Sequence, residues 1–98
     1  MADLGEMDAF ARAVGHVLRS ERRRRNWTLA DAGLRAGLSE SVVCRAESAV
    51  RSIDMMRLVQ LCAALDVSPA QVIATAQAEA FPLGWPDHDW SHVVVATP

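Results

Sequence analysis

The chain has 98 residues, of which 51% are apolar and 22% charged, with a formal net charge of −2. This is enough material for one compact domain and too little for two, and it is too apolar for a wholly disordered chain. A uniformly basic polyanion binder is excluded, and no apolar run reaches the ~18 residues of a membrane span.

Charge is spread unevenly. Residues 9–80 hold all ten arginines against seven acidic residues, so the middle of the chain can carry a basic face. The chain has no lysine, which reads as a coding bias. Met1 to Asp8 contain Asp3, Glu6 and Asp8 but no basic group. This does not fit a secretory leader, and the expected compartment is the cytoplasm. Cys44 and Cys62 form neither a CxxC pair nor a disulfide framework, so both are expected as reduced thiols.

The periodicity is helical almost throughout. A first helix is predicted from about Asp8 to Arg25, with Phe10, Val14, Val17 and Leu18 on one stripe. Arg22 to Arg25 lie in its last turn, where cations suit the negative end of the dipole. The run reads as a solvated helix end, with phosphate contact the other reading, and Asn26 suits a left-handed exit. His16 reads as an isolated residue in this pattern. Thr28 caps a second, short helix, with Asp31 placed to complete a capping box. Ala32, Gly33 and Ala36 permit close helix contact, and Gly37 ends the segment. Ser39 caps a third helix that fades near Ser48, with Val43 and Ala46 on its apolar side.

A fourth helix is predicted from Ile53 to Leu65, capped by Ser52 and striped by Leu58, Leu61, Cys62 and Leu65. Met55 and Met56 read as core filler or cover beside it. Ser68, Pro69 and Gln71 open a fifth helix that can run to about Ala80, short of Pro82. Residues 81–98 change in character: Pro82, Gly84 and Pro86 break structure, Trp85 and Trp90 are large and apolar, and Val93 to Val95 favour a strand. The expected organisation is therefore a domain over residues 8–80 and a tail over residues 81–98.

The second and third predicted helices, joined at Gly37, form a helix-turn-helix. The chain carries Leu18, Arg19 and Arg22, then Trp27-Thr28, then Gly37-Leu38-Ser39. Val43 and Glu47 follow, and then Leu58, Leu61-Cys62, Ala64-Leu65 and Val67. This ordered set resembles the XRE, or Cro/CI-type, helix-turn-helix family of phage and bacterial repressors over about residues 14–73. The resemblance implies an all-α, five-helix lambda-repressor-like domain whose third helix enters the DNA major groove. Its short tail would add a strand or a dimer contact.

Carried over by position, Glu40, Ser41, Cys44 and Arg45 face the groove. Arg45 is suited to guanine O6 and N7, Glu40 to a cytosine amine and Cys44 to a thymine methyl. Thr28, Ser39, Arg51 and Ser52 are placed to hold phosphates. Arg22 and Glu47 match an ion pair that ties the first helix to the third. Three positions depart from the pattern: Leu29 and Leu34 replace polar residues, and Ala49 replaces a glycine. Alanine in a left-handed exit costs ~1 kcal/mol, which points to a different end for the third helix.

The implied function is a nucleoid-associated, homodimeric transcriptional repressor of a pseudo-palindromic operator, with double-stranded DNA as partner and no cofactor. Phe81, Trp85, Trp90, Val93 and Val95 are the expected dimer or partner contacts, with folding back as cover the other reading. The alternative function is a protein-interaction module or antitoxin on the same fold, binding its partner through the tail. No cluster of serine, histidine and acid suggests catalysis. His88 and His92 stand four apart beside Asp87 and Asp89, but proline and glycine nearby argue against a helix, and no metal site is assigned.

Overall fold

The computed structural model describes residues 4–49 and 53–84. They form five helices: α1 (Leu4–Arg24), α2 (Leu29–Ala36), α3 (Glu40–Ser48), α4 (Met55–Leu65) and α5 (Pro69–Ala80). The described residues contain no strand. The fold is all-α and lambda-repressor-like. Helix α1 begins earlier than its apolar stripe predicts and ends into Asn26, whose φ of 59° is left-handed.

The local signals act where they stand. Thr28 and Asp31 close a reciprocal capping box on α2. The Ser39 hydroxyl accepts the Val42 N–H at the start of α3, and the Ser68 hydroxyl accepts the Gln71 N–H at the start of α5. Gly37 leaves α2 at φ 72°, and the Leu38 N–H donates to the Gly33 carbonyl at 2.8 Å. This is the tight turn that sets α3 across α2.

Two helix ends depart from expectation. Ser52 lies outside the described residues, and Asp54 caps α4 by accepting the Arg57 N–H at 2.9 Å. Ile53, expected inside the helix, precedes that cap and packs against the core. Ala49 takes the left-handed exit of α3 at φ 55° despite its Cβ, and its N–H closes on the Arg45 carbonyl. The helix therefore ends as a glycine would end it, with the strain retained.

Every helix feeds one core. Leu18 of α1, Val43 of α3 and Cys62 of α4 are its largest fully buried side chains, joined by Leu58, Leu61, Leu65 and Val72. Phe81, just past α5, stacks on Phe10 of α1 with ring centroids 6.1 Å apart. Met55 and Met56 are 81% and 69% exposed. The expectation that they fill or cover the core is thus corrected: the Leu58–Leu61–Cys62–Leu65 stripe turns them outward. No single described helix is long and apolar enough to cross a membrane.

Candidate nucleic-acid interface

Helix α3 has two faces. Val43 and Ala46 are buried, whereas Glu40, Ser41, Cys44, Arg45 and Ser48 are exposed. At ~100° per residue, Ser41, Cys44, Arg45 and Ser48 form one stripe. The structure thus brings Ser41, Cys44 and Arg45 together on an exposed helix face, with Glu40 at its edge beside Cys44.

Close backbone approach seats that face. A Cβ on Gly33 would lie 2.6 Å from the Leu38 carbonyl oxygen, so α2 and the turn can meet only at a glycine. A Cβ on Gly15 would lie 2.4 Å from the Glu47 carbonyl oxygen, which brings α1 equally close to the end of α3. Sequence reasoning passed over Gly15. Its signal is a glycine inside an apolar helical pattern.

A side-chain clamp reinforces the contact. Arg22 Nε donates to Glu47 Oε2 at 2.6 Å and Nη2 to Oε1 at 2.9 Å, a bidentate pair. Arg22 Nη1 donates to the Trp27 carbonyl at 2.7 Å. The hydrogen bond to Glu47 raises the Arg22 pKa against the opposing effect of burial. Among the described residues, no buried side-chain nitrogen or oxygen lacks a partner.

The polar groups on the free face differ in what they can offer. Arg45 Nε leans back to the Ser41 carbonyl at 3.4 Å, and its terminal amines carry no bond to a described residue. Glu40 occupies the first turn of α3, where the helix dipole favours its charge. Cys44 is an exposed free thiol. Ser39 accepts the Val42 N–H and keeps its own hydroxyl proton to donate.

Thr28 is more committed. Its hydroxyl accepts the Asp31 N–H at 3.0 Å, and its amide donates to Asp31 Oδ2 at 2.8 Å. Hydrogen bonding to its carboxylate from the Thr28 amide, and next from the Thr28 side chain, holds Asp31 below the usual aspartate range. The Thr28 amide is therefore taken, while the Leu29 and Ala30 amides lie outside the box.

Other expected contacts fall elsewhere. Arg51, Ser52, Trp85, Trp90, Val93, Val95, His88 and His92 lie outside the described residues. Phe81 stacks on Phe10 of its own chain, so the first residue of the tail folds back. The arginine run is not simply solvated. Arg24 and Arg25 pair with Glu21 at 2.8 Å, and Arg25 also donates to the Leu65 carbonyl at the end of α4. Arg35 lies 4.4 Å from the Trp27 ring centroid, a cation–π contact the sequence did not announce. His16 is not isolated, since Nδ1 meets Glu79 Oε1 of α5 at 2.9 Å. No group of three metal-ligating side chains occurs among the described residues.

The chain belongs to the helix-turn-helix domain family, which its residues 13–74 match. By class it is a DNA-binding transcription regulator and not an enzyme. Comparison with curated proteins finds no match. Among solved structures, the chain is similar to the clp gene regulator ClgR from Corynebacterium glutamicum. One ClgR crystal structure has 27% identity and a TM-score of 0.67, covering 76% of this chain and 95% of that one. A second has 25% identity and a TM-score of 0.67, covering 72% and 76%. The restriction-modification controller protein C.AhdI from Aeromonas hydrophila shares the fold at 24% identity and a TM-score of 0.60, covering 63% of this chain and 94% of that one.

Proposed function

We propose that this protein is a homodimeric transcriptional repressor that works in the cytoplasm on a pseudo-palindromic operator. Each subunit lays α3 in the major groove. Arg45 donates two bonds to guanine O6 and N7, Glu40 accepts from a cytosine amine, Ser41 serves either polarity, and Cys44 touches a thymine methyl. Thr28 and Ser39, with Arg51 and Ser52, hold the flanking phosphates. Transcription is blocked by occupancy, without a cofactor.

The observation that carries this reading is the division of α3 into a buried Val43–Ala46 side and an exposed Ser41–Cys44–Arg45 side. The names of two relatives, a gene regulator and a controller protein, point the same way. Dimerisation is supported by Met55, Met56 and Val59, which leave the outer face of α4 apolar and exposed. It also follows from the economy of reading two half-sites with two copies. Beyond Phe81, which stacks on Phe10 of its own chain, the tail is assigned to the dimer or to a partner protein.

Selection of bound sequences from randomised duplexes tests the proposal. A pseudo-palindrome should emerge, with half-sites centred about one turn, ~10 base pairs, apart. Arg45→Ala should bind the selected duplex ~1–3 kcal/mol more weakly and lose preference at one base pair per half-site. Unchanged affinity and preference would remove Arg45 from the interface.

A further inference from the structure

Of the nine described arginines, five are paired, and three of the other four lie on one helix face. Arg22, Arg24, Arg25 and Arg57 meet carboxylates, and Arg35 lies on Trp27. Arg12, Arg19 and Arg23 are exposed and meet no acidic group among the described residues. At ~100° per residue these three fall within about 40° of one another on α1. They span about 16 Å of helix, while one DNA strand presents a phosphate every ~3.4 Å of axis.

The placement of this face matters. Gly15 and Arg22 put the adjoining flank of α1 directly against Glu47 at the end of α3. Arg19 lies between them in sequence, about 40–60° further round towards solvent. The major groove is ~12 Å wide and a helix ~10–12 Å across, so α3 alone fills it. A helix packed ~8–10 Å from the end of α3 is within reach of the phosphates that border that groove. Two acidic groups share the face. Asp8 stands one turn before Arg12, and Glu79 is held by His16. The unneutralised charge therefore rests mainly on Arg19 and Arg23.

We infer that Arg12, Arg19 and Arg23 form a second, sequence-independent contact surface on α1 that binds the DNA backbone beside the groove occupied by α3. The inference rests on the DNA reading above. It makes α1 an affinity element and α3 the specificity element.

The test titrates the full chain against the selected duplex and a scrambled duplex over a range of salt. The variants are Arg12→Gln/Arg19→Gln/Arg23→Gln, Arg24→Gln as a same-helix control on another face, and Arg45→Ala. Thermal melts confirm that each is folded. The triple variant should weaken binding to both duplexes alike, leaving their affinity ratio unchanged. Its slope of log affinity against log salt should fall by up to about 3 per subunit, at ~0.9 per lost contact. If it tracks Arg24→Gln while Arg45→Ala still loses the selected site, this inference fails and the DNA reading stands. The face would then belong to an acidic protein surface. If the wild-type chain binds neither duplex, both readings fail together.

Discussion

Arg22 and Glu47 are joined by two hydrogen bonds of 2.6 and 2.9 Å, with side chains only 10% and 8% exposed. They are 25 positions apart and fix the end of α3 to α1. The donor left over on Arg22 reaches the Trp27 carbonyl, so the same guanidinium also fixes the chain entering α2. One side chain thus sets both arms of the helix-turn-helix.

Glu47→Ala leaves a buried guanidinium without its partner. It should destabilise the fold by about 3–5 kcal/mol in urea unfolding. A loss under ~1 kcal/mol would show that Trp27 and water satisfy Arg22 unaided.

Gly15→Ala sets two principles against each other. Helix propensity favours alanine by ~1 kcal/mol. The new Cβ would sit 2.4 Å from the Glu47 carbonyl oxygen, on rigid backbone. We expect the clash to win, with a net loss of about 1–3 kcal/mol and weaker DNA binding as α3 shifts. An increase in melting temperature would mean that α1 and α3 separate freely.

Ala49→Gly should stabilise. A left-handed alanine costs ~1–2 kcal/mol, and glycine returns ~0.4–1 of that through the entropy of its unfolded chain. The net gain should be about 0.5–1 kcal/mol by denaturant midpoint at constant m. No gain would mean that the φ of 55° is not strained in this setting.

Asp31 gives the stability a defined acid dependence. Its carboxyl is held below the ordinary aspartate range by the Thr28 amide and hydroxyl. Its contribution is complete above the unfolded-state pKa and is lost as pH falls through the folded-state value. The difference in melting temperature between wild type and Asp31→Ala should therefore be constant near neutrality and narrow towards pH 3. A difference that stayed constant into acid would show that the capping box does not depend on this charge.

Much of the fold was legible because its signals are local. Thr28 with Asp31, Gly37 with Ser39, and Ser68 with Pro69 and Gln71 each settle a helix end within four residues. The apolar stripes then place Leu18, Val43 and Cys62 at the centre. What was missed depends on distance or competition. The partner of Gly15 is Glu47, and that of His16 is Glu79, 63 positions away. Ser52 and Asp54 are both good caps two residues apart. Asp54 takes the role in the structure, with Ile53 seated against the core just before it. Ala49 was expected to change the end of α3. The turn overrode its propensity: at φ 55° the Ala49 N–H still closes on the Arg45 carbonyl. For the recognition face, the family resemblance named Glu40, Ser41, Cys44 and Arg45, and the burial of Val43 and Ala46 on the opposite side is what leaves them exposed.

The proposed repressor depends on α3 reading bases from the major groove. Guanine N7 lies in that groove, so methylation interference at N7 on the selected duplex tests it most directly. Methylating one guanine in each half-site, the two about 10 base pairs apart, should block wild-type binding, and Arg45→Ala should lose this sensitivity. Binding indifferent to N7 methylation at every guanine, or equally sensitive with and without Arg45, would contradict base reading by α3.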